Sequence, residues 1–380
     1  MPGGPPPAKP KTVTPVTVEV PVNSDVSLVH VGSSDSFAIT VEGRQAAGLL
    51  LSALEQQDPS KARGDARQAS EIYDQIIPRE NYGGEYSALQ WFADYLVASP
   101  NDRPGFLKDP QTNFFFSVYG ENNYALLREY LMRKYRLRDI GDEDTRIGQD
   151  RKAWLEDTIL FNNPRRESWE KTSELMKLLK LKPGQKIADV GSGPGYFTFK
   201  FAKIVGPEGQ VYAIDTVAAH LRYVETAKLA LGFPNVQTIE TDGRSLGLAG
   251  LHGKVDAIFL CSLYHNIYAM STQPERDGLV DSFKDALTDD GTLYLVDNGV
   301  VPRGVLPYHG PYVAKELIIG QMLNFGFELV EQKQFIPQRY LLVFKKKKGE
   351  PGSDQRQRQA GPRRDPLQKG SALPHLHRQR

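Results

Sequence analysis

The chain has 380 residues, of which 40% are hydrophobic and 24% are charged, and this balance excludes collagen-like, coiled-coil and wholly disordered chains. The 47 Lys and Arg residues nearly cancel the 46 Asp and Glu residues, so the chain as a whole does not resemble a polyanion-binding protein. Its single cysteine, Cys261, excludes a disulfide scaffold and favours a reducing compartment.

Neither a membrane helix nor a secretory signal is visible in the sequence. No stretch approaches the roughly 18 consecutive apolar residues that indicate a membrane helix. The N-terminus lacks the apolar run of a signal peptide, so we predict a cytoplasmic protein without membrane association. Residues 5–22 also resemble the spacer that remains after a signal is removed, which makes a periplasmic location the alternative.

Two segments of biased composition flank the rest of the chain. Residues 1–24 contain seven prolines and little material for a core, which predicts an extended, disordered arm. Residues 346–380 contain ten Lys or Arg and three acids, a net charge of +7 against +1 for the whole chain. We interpret this segment as a basic disordered tail, with contact to RNA, anionic lipid or an acidic partner as the alternative.

The first folded block, residues 25–150, is predicted to be a mainly helical domain. Apolar alternation predicts short strands at Val26–His30 and Ser36–Val41. Helical periodicity follows in four segments: Gln45–Glu55, Ala66–Ile77, Tyr86–Val97 and Tyr124–Tyr135. No group of chemically active side chains stands out here. Whether the block caps a pocket or supplies a dimer contact is left open.

The second block, residues 151–345, alternates strands and helices. Its predicted strands are short and mostly apolar, as strands buried on both faces should be. They are Lys186–Val190, Gln210–Ile214, Val236–Glu240, Asp256–Leu260 and Thr292–Val296. The helices predicted between them are Tyr196–Ile204, Ala218–Leu231 and Arg276–Ala286. This alternation predicts a doubly wound, Rossmann-like parallel sheet.

The end of the second block departs from that alternation. A helix is predicted at Pro311–Asn324, followed by strands at Phe327–Phe335 and Arg339–Lys345. Because only Ile-Pro-Gln separates these two strands, they can pair only as an antiparallel hairpin. The predicted fold class is therefore α/β, with a seven-stranded sheet that ends in an antiparallel hairpin and a mostly helical N-terminal domain.

A glycine-rich turn joins the first strand of the second block to the helix that follows. It reads Asp189-Val-Gly191-Ser-Gly193-Pro-Gly195. Glycines allow a tight turn and a close approach of the backbone to a ligand, and the helix N-terminus directs its free amides at the same space. Asp189 ends the strand, where a carboxylate can accept a hydrogen bond or hold a cation.

Two further acids follow the next two predicted strands. Asp215 ends the second strand, 24 residues after Gly191, which suits a carboxylate that grips two ribose hydroxyls. Asp242 follows the third strand. Because open α/β sheets bind ligands at the carboxyl ends of their strands, we expect these acids and the glycine turn to share one edge.

Residues 151–345 resemble the class I S-adenosylmethionine-dependent methyltransferases in this glycine turn and these acids. The segment Asn163-Pro-Arg-Arg-Glu-Ser-Trp169 resembles the entry helix of small bacterial relatives. The resemblance implies S-adenosylmethionine as cofactor, with Gly191, Gly193 and Gly195 of the turn against its methionine part and Asp189 as a further cofactor-binding residue. It also implies that Asp215 holds the ribose and that Asp242 meets the adenine amine.

A nicotinamide-dependent dehydrogenase is the rival interpretation of the same turn. Its fingerprint, Gly-x-Gly-x-x-Gly, leaves room for a pyrophosphate, whereas this chain has Gly-x-Gly-x-Gly. Asp189 would place a negative charge near dinucleotide phosphates, which is unfavourable. The sulfonium of S-adenosylmethionine is positive, so the charge of the acids favours the methyl donor.

Candidate catalytic residues lie after the fourth and fifth strands. His265, in Cys261-Ser-Leu-Tyr-His265, is placed to act as a general base, or to position and pack the loop. His309, in Pro-Tyr-His309-Gly-Pro, is the second candidate. Cys261 at a strand end is interpreted as a small buried residue rather than a nucleophile. No set of side chains has metal-ligand spacing, so we predict no metal.

The sequence gives less information about the methyl acceptor than about the methyl donor. Ser262-Leu-Tyr-His occupies the place of the Asn/Asp-Pro-Pro-Tyr/Phe tetrapeptide found in many nitrogen methyltransferases. The acidic core also argues against a large nucleic-acid surface. We therefore predict a small-molecule acceptor. The alternatives are an RNA or protein methyltransferase guided by the basic tail, and a non-catalytic S-adenosylmethionine-binding protein.

Overall fold

The computed structural model describes residues 28–30, 39–77, 84–243, 248–299, 311–337 and 339–348. The strands in these ranges are β1 Val29–His30, β2 Lys186–Val190, β3 Gln210–Asp215, β4 Val236–Glu240, β5 Val255–Cys261, β6 Leu287–Asn298, β7 Tyr312–Val313, β8 Phe327–Ile336 and β9 Arg339–Lys346.

The helices in the same ranges fall into an N-terminal group and a group interleaved with the strands. The N-terminal group is α1 Val41–Glu55, α2 Pro59–Ile76, α3 Gly84–Val97, α4 Arg103–Phe106, α5 Pro110–Tyr135, α6 Arg146–Phe161, α7 Arg166–Glu170 and α8 Thr172–Leu178. The interleaved group is α9 Tyr196–Val205, α10 Ala218–Leu231, α11 Tyr264–Met270, α12 Gln273–Ala286 and α13 Lys315–Asn324.

Seven strands form one mixed sheet in the order β4-β3-β2-β5-β6-β9-β8. The first five pair in parallel, whereas β9 pairs antiparallel with both β6 and β8. The chain runs outward from β2 through β3 to β4 and then returns to β5 on the other side of β2. Ligands of doubly wound sheets bind where the strand order reverses in this way. The predicted sheet, its closing hairpin and the fold class are confirmed.

Alternate residues of the parallel strands enter separate cores on the two faces of the sheet. In β5, Ile258 and Leu260 belong to the core covered by α12 and α13. Ala257 and Phe259 belong to the core covered by α9 and α10. A strand buried on both faces cannot alternate polar with apolar residues, which is why these segments appear as short apolar runs in the sequence.

Two predicted elements near the ends of the folded region need correction. Val41, predicted to end a strand, is the first residue of α1, because Thr40 caps this helix by accepting a hydrogen bond from the Gly43 amide at 3.0 Å. The helix predicted from Pro311 begins only at Lys315. The residues before it form β7, which pairs antiparallel with β1. Residues 31–38 lie outside the described ranges.

The N-terminal helices share a core of their own, which includes Leu50, Tyr73, Phe92 and Leu131. Ile159 of α6 also packs into this core, and α6 runs across residue 150 without a break. The division into domains at that residue stays a prediction. Within the described ranges, no helix is long and apolar enough to cross a membrane. The compartment inferred from the sequence stays a prediction too.

Candidate functional site

Three neighbouring strands end at the edge of the sheet where the sequence predicts the cofactor. β2 ends in Val190 and leads into the glycine turn, β3 ends in Asp215, and Asp242 lies two residues beyond β4. The amide nitrogen of Gly191 lies 2.8 Å from the carbonyl oxygen of Ile214 and donates to it, which ties the turn to β3. The structure thus brings the predicted cofactor residues together along one edge.

The glycine turn requires glycine for two different reasons. Gly191, Gly193 and Gly195 all have left-handed φ angles, of +71°, +53° and +85°. A Cβ atom on Gly195 would lie 2.8 Å from Phe199 Cε2, so packing excludes a side chain there. A Cβ atom on Gly193 would meet only Phe161 Cδ2, at 3.6 Å, so the space above Gly193 is open to a ligand.

The Asp215 carboxylate is buried and organises the turn beside it. Its Oδ2 accepts a hydrogen bond from the Gly193 amide at 2.7 Å, and its Oδ1 accepts one from the Val217 amide at 2.8 Å. Burial opposes ionisation, but hydrogen bonding and charge from His220, with these two amides, outweigh it and lower the pKa of Asp215. An ionised carboxylate has about four acceptor positions, so at least one remains for a hydroxyl donor beside the two amides and His220.

Asp242 is exposed, unlike the other two acids. The Thr241 amide donates to the backbone oxygen of Asp215 at 3.1 Å, which holds the loop that carries Asp242 against the end of β3. Gly243, with φ +78°, turns the chain directly after it. Asp242 is therefore at the rim of the edge, two residues beyond the strand.

Asp189 is buried at the end of β2, with 3% of its surface exposed. Burial raises the pKa of Asp189 to about 7. A hydrogen bond that Thr198 Oγ1 donates to the carboxylate at 2.6 Å acts in the opposite direction and lowers this pKa. The negative charge of Asp215 raises this pKa further. A cation bound at this edge would favour the ionised form of Asp189.

The segment before β2 closes over the glycine turn. Phe161, the last residue of α6, faces Gly193, and Asn162 Nδ2 donates to the Pro194 carbonyl at 3.1 Å. Arg166 stacks on Tyr196 at the start of α9, with 4.2 Å between the guanidinium carbon and the ring centre. The segment that resembles an entry helix therefore forms one wall of the site.

A buried ionic cluster links this wall to the strands beside it. Glu170 of α7 pairs with Arg166 and, at 2.8 Å, with Arg339 of β9. Arg339 also donates to Ser262 Oγ, and to Cys261 Sγ at 3.3 Å. Burial raises the pKa of the Cys261 thiol to about 12, which agrees with its interpretation as an unreactive residue.

His265 pairs with a buried carboxylate at the ends of β5 and β6. Its Nδ1 lies 2.8 Å from Asp297 Oδ1, and its amide nitrogen donates to Asp297 Oδ2 at 3.0 Å. Because a carboxylate only accepts, Asp297 places the Nδ1 proton and leaves Nε2 as the acceptor nitrogen. His309 lies outside the described residues, so its role stays a prediction. In the described ranges, no three His, Cys, Asp or Glu side chains could hold a metal.

A cavity of about 190 Å³ borders the glycine turn, since Pro194 and Tyr196 help to line it. It is lined by residues of α5, α9, α10 and the link between α6 and α7, among them Gln111, Asn162, Lys200 and Tyr223. Neither the three acids nor the three glycines line it. The cavity therefore adjoins the wall of the site, on the side of α5, α9 and α10.

Comparison with known proteins gives a family match over the middle of the chain. The model of the family Protein-L-isoaspartate(D-aspartate) O-methyltransferase matches residues 167–267, from the wall of the site through the glycine turn to the loop after β5. This match adds an independent sequence pattern to the fold and to the arrangement of acids. Over these residues the chain is similar to a family of O-methyltransferases, which agrees with its resemblance to the class I S-adenosylmethionine-dependent methyltransferases.

The individual relatives match this chain only in part. The protein-L-isoaspartate O-methyltransferase of Methanothermobacter thermautotrophicus is 32% identical over 69 residues, which are 18% of this chain and 32% of that protein. The ribosomal RNA small subunit methyltransferase G of Desulfitobacterium hafniense is 38% identical over 64 residues, 17% of this chain and 26% of that one. The chain thus spans about a third or less of these relatives' lengths.

Among solved structures, a SAM-dependent methyltransferase from Aquifex aeolicus aligns with 48% of this chain and 92% of its own. Its sequence identity is 21% and its TM-score is 0.42.

The prediction of a small-molecule acceptor is wrong. The matching family and the Methanothermobacter thermautotrophicus relative carry names that give protein L-isoaspartate as the acceptor. The name of the matching family agrees with the predicted class of methyltransferase and with S-adenosylmethionine as the predicted cofactor. The donor motifs lie on the shared sheet edge, whereas no comparable pattern in the loop after β5 indicates the acceptor. That is why the sequence alone indicated the methyl donor but not the methyl acceptor.

The residues present fit the methyl donor. The space above Gly193 admits a ligand next to the backbone, Asp215 keeps acceptor capacity for the ribose, and Asp189 is a buried carboxylate that a cation stabilises. The individual cofactor contacts remain predictions. Phe161, Arg166, Glu170, His220 and Arg339 were not predicted as site residues; the entry segment was the only sequence signal for any of them.

We expect S-adenosylmethionine to bind more tightly as the pH rises from 5.5 to 7. With its pKa raised to about 7, Asp189 is mostly protonated at the lower pH and half ionised at the upper one, and the ionised form attracts the cationic ligand. Calorimetric titration should show about a tenfold change in Kd over this range. The range stays below the pKa of a ligand α-amino group.

Asp189→Asn is the matched control for this pH dependence, since it removes the titrating carboxylate and keeps the shape. Its Kd should vary little between pH 5.5 and 7. A wild-type affinity that stays constant or weakens as the pH rises would contradict the assignment of Asp189.

Proposed function

We propose that this methyltransferase transfers a methyl group from S-adenosylmethionine to an isoaspartyl carboxylate of a polypeptide. The observation that carries the proposal is the family match at 167–267, which includes the loop after β5 as well as the cofactor edge. In many enzymes of this fold the loop after the fourth parallel strand lines the acceptor pocket. The acceptor of the matching family is therefore the best guide to the acceptor here.

The proposed roles follow the geometry of the edge. Bound S-adenosylmethionine supplies a methyl group on a sulfonium centre. Asp215 orients the ribose through its remaining acceptor positions, Asp242 meets the adenine amine at the rim, and Asp189 favours positive charge beside the glycine turn. Phe161 and Arg166 close the wall over that turn and exclude water from it.

A carboxylate acceptor simplifies the chemistry that the protein must perform. The carboxylate oxygen is already ionised near neutral pH, so no proton has to be removed before it attacks the methyl carbon. The new bond joins oxygen to methyl, the sulfur–methyl bond breaks, and S-adenosylhomocysteine leaves. In this function Asp297 and His265 hold the acceptor loop in place, because the Asp297 carboxylate accepts from both the amide and the ring of His265.

The same pair of residues favours a second candidate function. A hydroxyl or amino group of a polypeptide must lose a proton during methylation, and an imidazole fixed by a carboxylate is suited to take it. Asp297 fixes Nδ1 of His265, which leaves Nε2 as the basic nitrogen. The second candidate is therefore methylation of a polypeptide hydroxyl or amine, with His265 as the base.

The test is transfer of a labelled methyl group to matched peptides. Two peptides that differ only in isoaspartate or aspartate at one position are incubated with the protein and S-adenosyl-[methyl-³H]methionine. We expect label on the isoaspartyl peptide only, as a methyl ester that mild alkali releases. Gly193→Ala should reduce this label at least about tenfold, because its Cβ enters the space proposed for the cofactor.

Gly184→Ala is the matched control for that variant. Gly184 also has a left-handed φ, of +81°, and a Cβ atom added there would meet no other atom within 4 Å, so both variants carry a similar backbone cost of about 1–2 kcal/mol. Its activity should equal that of the wild type. If the wild type binds S-adenosylhomocysteine but forms no alkali-labile product, the carboxylate acceptor is excluded. Alkali-stable label that His265→Asn removes would then support the second candidate.

A further inference from the structure

The cofactor edge contains a buried histidine that the sequence did not single out. His220 is the third residue of α10 and has 4% of its surface exposed. Its Nδ1 lies 3.5 Å from Asp215 Oδ1, and its Nε2 lies 3.3 Å from Asp157 Oδ2. Within the described ranges, neither ring nitrogen has a hydrogen bond of good geometry, so charge rather than hydrogen-bond direction dominates both contacts.

The two carboxylates that face His220 come from different parts of the chain. Asp215 ends β3 and holds the glycine turn, whereas Asp157 belongs to α6 and is partly exposed. One helical turn after Asp157, α6 ends at Phe161, which faces Gly193. His220 therefore lies between the carboxylate proposed to hold the ribose and the helix that forms the wall over the turn.

The surroundings of His220 favour its protonated form. Burial alone would lower the pKa of His220, but Asp157 and Asp215 outweigh burial and raise it to about 9. A neutral imidazole would leave two carboxylates near each other without a cation between them. The stabilisation is fully present below the ordinary histidine pKa of about 6.5 and is lost as the pH rises through about 9.

We propose that His220 is a positioning residue for cofactor binding, which as an imidazolium orients the Asp215 carboxylate and ties α6 to it through Asp157. The proposal rests on the proposed function in so far as that function places the ribose on Asp215. The imidazolium attracts Oδ1 of Asp215, and the Gly193 amide donates a hydrogen bond to Oδ2. Together these contacts fix the plane of the carboxylate before the ligand binds. Loss of the charge frees both the carboxylate and the end of α6.

The test compares Kd for S-adenosylhomocysteine between pH 7 and 10 in the wild type, His220→Gln and Asp157→Asn. At pH 7, His220→Gln should bind S-adenosylhomocysteine about tenfold more weakly than the wild type, because the variant loses one charged contact. The wild-type curve should fall toward the His220→Gln curve as the pH passes about 9. Titration of the ligand's own amine affects every curve alike, so the difference between curves reports His220.

Asp157→Asn separates positioning from simple structural support. Removal of one of the two carboxylates lowers the pKa of His220, so the midpoint of the affinity loss should shift to lower pH. If the His220→Gln and wild-type curves are parallel, or if Asp157→Asn leaves the midpoint unchanged, the proposal is overturned. A wild type that binds no S-adenosylhomocysteine at any pH would instead refute the cofactor site itself.

Discussion

Replacement of Glu170 by glutamine is expected to destabilise the protein by about 3–5 kcal/mol. Glu170 has no exposed surface and lies between Arg166 and Arg339, which are also buried. Burial would raise the pKa of Glu170, but the two guanidinium groups outweigh it and keep the carboxylate ionised. Glutamine keeps the shape and removes the charge, so two buried cations lose their common counterion. The free energy of unfolding from urea denaturation measures this effect.

The chain offers a matched control for this variant. Arg146 and Asp150 form an ion pair with the same four-residue helical spacing as Arg166 and Glu170, but both side chains are largely exposed. Asp150→Asn should change the free energy of unfolding by less than about 0.5 kcal/mol. If Glu170→Gln costs no more than Asp150→Asn, the buried cluster does not stabilise the fold.

The ionic cluster also explains how the wall of the site is held against the sheet. Arg339 begins β9, Glu170 ends α7, and Cys261 ends β5, so one set of contacts joins three elements that are distant in the chain. Arg166, the other partner of Glu170, stacks on Tyr196 beside the glycine turn. Destabilisation of this cluster should therefore weaken cofactor binding together with stability, whereas a change at Asp215 should act mainly on binding.

Local pattern was sufficient to predict the strands and the edge of the sheet where Asp215 and Asp242 lie. β2, β4 and α10 have the bounds expected from the sequence, because short apolar runs and helical periodicity are properties of neighbouring residues. Asp215 and Asp242 could be assigned to one edge because parallel strands end on the same side of a sheet. The fold thus followed from order and spacing, whereas the roles of these acids toward the cofactor stay predictions.

The contacts that complete the site could not be predicted, because they join residues far apart in the sequence. Asp157 meets His220 from another helix, and Glu170 meets Arg339 across most of the methyltransferase fold. A histidine in the first turn of a helix gives no sign that it will be buried between two carboxylates. The acceptor was missed for a related reason, since a loop that recognises a substrate has no periodicity to reveal it.

Asp215→Asn is expected to weaken S-adenosylhomocysteine binding by about 10–100-fold, as calorimetric titration would measure. The substitution removes the charge that strengthens the hydrogen bonds proposed to the ribose, and such charged hydrogen bonds contribute about 1.5–3 kcal/mol each. It also presents an amide donor to the Gly193 or Val217 amide, where the native carboxylate accepts from both. Ligand contacts and the orientation of the turn are therefore both affected.

Glu328→Gln provides the comparison for this loss of charge. Glu328 is an exposed carboxylate on β8, and β8 and β3 are separated by four other strands of the sheet. The Kd of the Glu328→Gln variant for S-adenosylhomocysteine should match that of the wild type at the ionic strength used. Equal affinities for Asp215→Asn and Glu328→Gln would show that the end of β3 does not hold the ribose. Because Asp215, Gly193 and His220 are in contact, the effects of substituting them should not be additive.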